Sequence, residues 1–402
     1  MNNTNHTLLR KFAQTLTAAV RGLLPFRDLA QDSVPFGHLI FQPAHETRHI
    51  QLIGNAGTGK SMAIEHLLAG IAQRPSQRAV LVDPDGRYAR LFYCPERGDR
   101  ILNPFDARDV GWDIAAEITQ PFHAAALAAA LVPSGEAAAW SHYGQQLVSA
   151  TITALKRRGD LTVETLYQTL TTTPPEEYAK LVADSPAAVF FRPDNEKMRG
   201  RIESVVVNAV AGLRCMNNGS LSLSQYAQGE DKGWVFLTYK AEQVAALKNI
   251  IATMMRVVIF ELMSRPEGDS GTWFVIDDLD SLGKIAGLQE ALQRLRKFGG
   301  RCVLTVQSVG ALADIYDQFG SQALLESCAS TLLLRSSFSE AARVVGALWL
   351  REVSLSQIEQ LEDLQGYVHP YGSPWSHCTI EPYIAAPIAE AFVPRAPESE
   401  AA

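Results

Sequence analysis

The sequence predicts an α/β protein whose central, parallel-rich sheet is interrupted in the chain by an all-helical insert. Short apolar runs rich in β-branched and aromatic residues recur between helical patterns. Such continuous apolar strands, alternating with helices, indicate a parallel sheet covered on both faces. Between a first strand at 49–53 and a helix beginning at Lys60 stands the string GNAGTGKS, residues 54–61, which has the setting of a phosphate-binding loop. From about residue 111 to about residue 204 an alanine-rich stretch carries helical spacing and no strand signal.

Composition bounds the function. The chain has 402 residues, 47% hydrophobic and 20% charged, enough for a substantial core and two or three domains. A formal net charge of -7 excludes a polycationic nucleic-acid binder, so any DNA contact must use local basic patches or the lumen of a ring. The five cysteines, Cys94, Cys215, Cys302, Cys328 and Cys378, are scattered without CxxC spacing. That argues against a zinc site or a disulfide framework and for reduced thiols. The most apolar stretch, 250–263, carries Arg256 and Glu261 and falls short of the ~20 apolar residues that span a bilayer. Leu247, Ile250, Ile251, Met254, Val258 and Leu262 predict instead a helix buried on one face. No signal peptide is visible. The expectation is a soluble cytoplasmic chain, with peripheral docking at the inner membrane left open.

In order along the chain, residues 1–35 are expected to be an arm broken by Pro25 and Pro35, and residues 36–110 the first part of the α/β domain. Within it a helix at 60–71 precedes a strand at 79–83, closed by the turn Pro84-Asp85-Gly86. Residues 111–204 form the insert, where Trp140, Tyr143, Leu147, Val148, Ile152 and Leu155 line one helix that stops at Gly159. Residues 205–385 complete the α/β domain with strands at 234–238, 273–277, 302–306 and 331–335. Residues 386–402, with Pro387, Pro394 and Pro397, are expected to be a flexible tail.

The loop at 54–61 fits GxxxxGK[ST]. Gly54, Gly57 and Gly59 let backbone N–H groups, with those of Asn55, Ala56 and Thr58, curl around a phosphate without Cβ clashes. The following helix aims its positive end at the same charge. Lys60 is expected to reach the β- and γ-phosphates of ATP, and the Ser61 hydroxyl to ligate Mg2+. A glycine-rich turn of no function is the competing reading, and the strand–loop–helix setting disfavours it.

More than two hundred residues downstream the chain reads WFVIDDLDSLGKIAG. An apolar strand ends in Asp277 and Asp278, the first placed to hold Mg2+ opposite Ser61 and the second to polarise the attacking water. An Asp pair that merely caps the next helix is the alternative. Farther on, LRKFGGRCVLTVQS ends a strand at Gln307, where a polar tip next to the acidic strand can sense the γ-phosphate or position water. Arg294, Arg296 and Lys297 precede that strand. An arginine there can serve a neighbouring subunit's nucleotide, although, taken alone, a solvated helix face is the better reading of these charges.

The order GNAGTGKS, FVIDDLDSLGKI, LRKFGGRCVLTVQS resembles the type IV coupling proteins, the TraD-like ATPases of bacterial conjugation. Glu46-Thr-Arg-His49 ahead of the first strand, and Asp99-Arg-Ile-Leu-Asn-Pro-Phe-Asp106 with Trp112 downstream, resemble further segments of that family, and the likeness runs from about residue 36 to about residue 382. It implies a RecA-like ATPase domain with an inserted all-α domain. It also implies a hexameric ring with ATP between subunits, and a membrane-associated motor linking a relaxase–DNA complex to a type IV secretion channel. By position, Lys60 and Ser61 would serve phosphates and Mg2+, Asp277 the Mg2+ shell, Asp278 the water, Gln307 the γ-phosphate, and Arg296 a site in trans. Two departures stand out. The family usually has Asp-Glu where this chain has Asp277-Asp278, which implies slower hydrolysis or a need for closure by DNA or a neighbour. Family members usually begin with two transmembrane helices, and none is seen here. Either an anchor has been removed or the chain works with a separate membrane partner, and the Met1 start favours the latter.

For DNA, bound without sequence preference, Lys197, Arg199 and Arg201 at the insert's exit are the candidate phosphate contacts. Lys156-Arg157-Arg158 end a predicted helix, where the dipole alone accounts for them. The leading function is an ATP-driven coupling protein that recruits and pumps DNA. The alternative is a soluble coupling-type receptor that recruits protein substrates and hydrolyses ATP weakly. A chromosome-pumping or repair translocase and a small-molecule kinase fit the motifs less well.

Overall fold

The computed structural model describes residues 34–395 except 37, 38, 42, 135–137, 230 and 349. The expected arm at 1–35 lies outside the described residues except for its last two positions, which enter a short hairpin of β1 (Val34–Phe36) and β2 (Leu39–Phe41). The main sheet contains β3 (Ile50–Ile53), β4 (Arg78–Pro84), β5 (Arg100–Leu102), β6 (Val235–Tyr239), β7 (Thr272–Ile276), β8 (Gly300–Val306), β9 (Ser330–Leu334), β10 (Gln365–His369) and β11 (Ser376–Thr379). Their order is β11-β10-β9-β3-β8-β7-β4-β6-β5. From β9 to β5 every pairing is parallel, and β10 and β11 add an antiparallel hairpin at one edge. The six predicted strands all form, five starting within one residue of the expected place and β8 two residues earlier.

The parallel strands are mostly apolar on both sides because both faces of the sheet are covered. Ile50 and Leu52 of β3 point into one cluster with Ile64, Leu67 and Leu68 of the helix Lys60–Ala72. Ile53 points into the other, with the helices Val244–Leu262, Leu288–Leu295 and Val309–Glu326. The same alternation splits Ala79 and Leu81 from Val80 and Val82 in β4. Because all parallel strands run the same way, their carboxyl ends form one rim, the place where open α/β sheets bind ligands.

The segment Ala241–Leu262 is, by length and composition, long and apolar enough to cross a membrane, contrary to the expectation that no segment is. Its apolar stripe is already used: Leu247, Ile250, Ile251, Met254, Met255 and Val258 are buried. Arg256 and Thr253 donate to the carbonyls of Ala126 and Ala130 in the helix Pro121–Leu131. The segment is a core helix.

Between Pro121 and Cys215 every element among the described residues is helical. The helix Glu196–Val210 runs straight through residue 204, the expected exit of the insert. The chain's two passages are stitched together at 110–113 and 217–221: Trp112 N–H donates to Asn217 O at 3.0 Å, and Asp113 N–H to Leu221 O at 2.9 Å. Gly219 is required there, since a Cβ would stand 2.1 Å from Val110 O. Among the described residues the helical region has no separate core; its buried residues are continuous with one face of the sheet.

The expectation of a flexible tail from residue 386 needs correcting for 388–395. Ile388 and Ala389 donate to Arg90 O, Val393 to the Asp106 carboxylate, and Arg108 to the carbonyls of Glu390 and Ala391. Prolines without N–H groups read as fraying, but carbonyls and the N–H groups between them carry the docking. Residues 396–402 lie outside the described residues.

At the opposite rim, the Glu46-Thr-Arg-His49 lead-in is structural. Buried Glu46 accepts from Arg74 and Arg301, and Arg301 also pairs with Asp269. His49, with φ 65, joins the helix Leu288–Leu295 to β8, its Nε2 at 2.8 Å from Leu292 O and its Nδ1 accepting Cys302 N–H at 3.1 Å. Burial, aided by Arg296, lowers its pKa from 6.5 to about 4. A histidine held neutral in the fold but protonated when unfolded contributes stability that falls as pH drops through this window. Relative to His49→Asn, a residue that tolerates positive φ, the parent's stability advantage is expected to shrink between pH 7.5 and pH 5 in urea unfolding. A constant difference would contradict the assignment.

Candidate active site

β3 delivers the phosphate loop to the carboxyl rim, and two backbone bonds moor it there: Gly54 N–H to Val306 O at 3.2 Å and Asn55 N–H to Arg335 O at 2.9 Å. Space dictates the glycines. A Cβ on Gly54 would meet Leu334 Cβ at 2.7 Å, and Gly59, with φ 117, would meet Leu364 Cδ2 at 2.8 Å. Thr58 is buried and donates to Asn55 O at 2.8 Å, while Ala56 and Gly57 form the exposed crown. Directly behind begins the helix Lys60–Ala72. The Lys60 ammonium crosses the loop to Gly54 O (2.7 Å) and Asn55 O (3.1 Å). Burial lowers its pKa, and the carboxylates of Asp278, Asp277 and Asp280 oppose that shift. A buried ammonium held by carbonyls inside a glycine cradle is a cation poised for an anionic ligand.

The order β3-β8-β7-β4 then brings four segments together. Asp277 and Asp278 follow β7, Gln307 follows β8, and all of them converge with Lys60 and Ser61. Asp277 is buried. Its Oδ1 accepts Thr305 Oγ1–H at 2.5 Å, its Oδ2 accepts the Tyr88 hydroxyl at 2.6 Å, and Ser61 Oγ lies 3.5 Å from that Oδ2. Burial and the neighbouring Asp278 raise the pKa of Asp277, opposed by the hydrogen bonds from Thr305 and Tyr88 and by Lys60. A hydroxyl and a carboxylate facing each other are hard oxygen donors that suit Mg2+. Asp278 is half-buried, in left-handed backbone (φ 56, ψ 53), with its N–H on Thr305 Oγ1 and its Oδ1 accepting Gln307 Nε2–H at 2.6 Å. The arrangement offers a phosphate cradle, a cation site, and a carboxylate and an amide side by side beyond it.

Several members were not singled out from the sequence. Asp280 accepts the N–H groups of Gln307 and Ser308 and so fixes the β8 tip. Thr305 had a signal: it is the lone hydroxyl in the apolar run CVLTV. Tyr88 had none, because only the placement of β4 beside β7 brings it near. Fully buried Asp83 accepts the N–H groups of Tyr88 and Ala89, and burial pushes its pKa up to about 7 against those bonds.

Other expected residues lie elsewhere. Arg296 is exposed at the opposite rim, ahead of β8, about 20 Å from the β8 tip at ~3.3 Å per strand residue. Lys197 is exposed on the helix Glu196–Val210. Arg199 pairs with Glu203 at 3.4 Å and lies over Phe191, and Arg201 lies over Trp140. These two arginines are partly engaged within the helical region. Lys156 donates to Ala115 O, a structural use of that basic cluster.

Residues 33–360 match the family model described as the type IV secretion-system coupling protein DNA-binding domain. The coupling protein TraD of Escherichia coli (strain K12) is 29% identical over an alignment of 323 residues that covers 77% of this chain and 45% of TraD. The chain thus spans less than half the length of that curated relative. Among solved structures, unbound TrwBdeltaN70, a bacterial conjugative coupling protein, superposes with a TM-score of 0.85 at 27% identity, covering 91% of this chain and 92% of the other. The plasmid coupling protein TrwB in complex with ADP and Mg2+ gives 0.85 at 27% identity, covering 92% and 94%, and TrwB with a non-hydrolysable ATP analogue gives 0.85 at 28%.

Proposed function

Since this chain belongs to the type IV secretion-system coupling protein family, we propose that it is an ATP-driven coupling protein, one that recruits a relaxase–DNA complex and pumps DNA toward a secretion channel. The convergence of the phosphate cradle with Asp277, Asp278 and Gln307 on one rim supports this reading most. Lys60 and the loop N–H groups bind the β- and γ-phosphates. Ser61 and Asp277 hold Mg2+, which supplies charge neutralisation on the phosphates when bound. Asp278 takes the proton of the attacking water, and Gln307 orients it. TrwB's complexes with ADP and Mg2+ and with an ATP analogue favour the same ligands here.

Arg296 lies too far from its own loop to act there, so its role is assigned in trans, across the interfaces of a hexameric ring. Lys197, with Arg199 and Arg201 released from their internal contacts, would face DNA phosphates without reading sequence. Mixing tests the ring reading. Lys60→Ala and Arg296→Ala are each expected to be inactive in DNA-stimulated hydrolysis. An equimolar mixture recovers activity, because about a quarter of the interfaces in randomly mixed rings would pair an intact loop with an intact arginine. A mixture as inactive as its parts would overturn the trans assignment.

A further inference from the structure

Tyr88 belongs to none of the motifs that mark the site, yet its surroundings leave its hydroxyl one task. It lies on the helix Arg87–Phe92, which follows β4. That helix is held from several sides. Asp83 accepts the Tyr88 and Ala89 N–H groups at 2.9 and 2.7 Å. Arg87 pairs with Glu65 on the phosphate-loop helix. Arg90 O accepts the N–H groups of Ile388 and Ala389. Gly86 approaches the C-terminal segment so closely that a Cβ would stand 2.4 Å from Ala391 O. The Tyr88 ring is fully buried in the apolar cluster on this face of the sheet. Packing alone would be met by phenylalanine, and a buried hydroxyl costs free energy unless it is bonded. Here the hydroxyl donates to Asp277 Oδ2 at 2.6 Å, the same oxygen that Ser61 Oγ faces at 3.5 Å. Thr305 holds the other oxygen, so the carboxylate is gripped at both ends.

We propose that Tyr88 is a positioning residue of the Mg2+ shell: its hydroxyl fixes the rotation of the Asp277 carboxylate so that a lone pair of Oδ2 stays aimed at the cation opposite Ser61. The inference rests on Asp277 serving that shell. Hydrogen-bond partners of metal ligands are worth about 10- to 100-fold in metal affinity.

The test is an Mg2+ titration of the full chain bound to N-methylanthraniloyl-ADP, read by fluorescence, for the parent, Tyr88→Phe and Asp277→Asn. In Tyr88→Phe the half-saturating Mg2+ concentration is expected to rise about tenfold, while nucleotide affinity in EDTA and the melting temperature stay at parent values. Asp277→Asn should raise it further. An unshifted Mg2+ dependence in Tyr88→Phe beside a shifted one in Asp277→Asn overturns the Tyr88 role alone. An equal loss of affinity with and without Mg2+ assigns Tyr88 to packing and also overturns it. No shift in Asp277→Asn removes the shell itself and both readings with it. Should Tyr88→Phe not fold, the parent's tyrosine ultraviolet difference spectrum on adding Mg2+ to the nucleotide-bound chain decides. A perturbed buried tyrosine is the expected result, and a flat spectrum contradicts the contact.

Discussion

Lys60→Ala is expected to lower ATP turnover by about two to three orders of magnitude, the scale of removing one preorganised group from a developing oxyanion. The Lys60 ammonium is the cation at the centre of the loop, held by Gly54 O and Asn55 O and surrounded by the carboxylates of Asp277, Asp278 and Asp280. With ATP bound, the same ammonium can exchange those carbonyls for phosphate oxygens, so its stabilisation appears where charge develops. Removing it leaves those three carboxylates beside a phosphate with nothing to offset their repulsion. The loop should nevertheless persist, because its mooring to Val306 and Arg335 is made by backbone groups. A melting temperature near that of the parent, together with lost turnover in a steady-state phosphate-release assay, is the expected pair of results. Turnover within threefold of the parent would contradict the role.

The second large effect concerns Asp278. Asp278→Asn is expected to reduce turnover by about 10²- to 10⁴-fold, the range of a general base, while leaving nucleotide affinity close to the parent's. The substitution is clean for a backbone reason. Residue 278 has φ 56 and ψ 53, a left-handed conformation that Asn adopts as readily as Asp and that longer side chains adopt less readily. The shorter acid at this position, where the family usually has Glu, therefore suits its backbone. Its carboxylate stands farther back, and the Gln307 amide at 2.6 Å bridges outward from it. Single-turnover hydrolysis with saturating ATP separates chemistry from binding. A variant that loses affinity but keeps its rate would show that Asp278 serves the phosphates rather than the water.

The sheet was legible because fully buried parallel strands announce themselves as apolar runs, as at 79–83 and 273–277. β5, β10 and β11 were not. β5 has three residues. In the edge hairpin, β10 alternates half-buried and buried positions and β11 buries only Cys378, so it offers no such run. The site divides the same way. Gly54, Gly59, Lys60, Asp277 and Gln307 lie at strand tips whose spacing is fixed by local chemistry. Tyr88 and Asp83 join it only through the order of strands in the sheet, which sequence periodicity does not carry. The docked segment 388–395 was missed because its contacts are made largely by backbone groups, and proline content hides them. Arg296 shows the converse limit: the chain pattern marks it, and a single chain places it at the far rim.

The central claim is that this rim hydrolyses ATP to move nucleic acid. Steady-state ATP hydrolysis by the purified chain, measured without DNA and with single- or double-stranded DNA, tests it most directly. Turnover several-fold higher with DNA, and absent in Lys60→Ala, is the predicted result. Turnover indifferent to DNA in a chain that stays monomeric would contradict it.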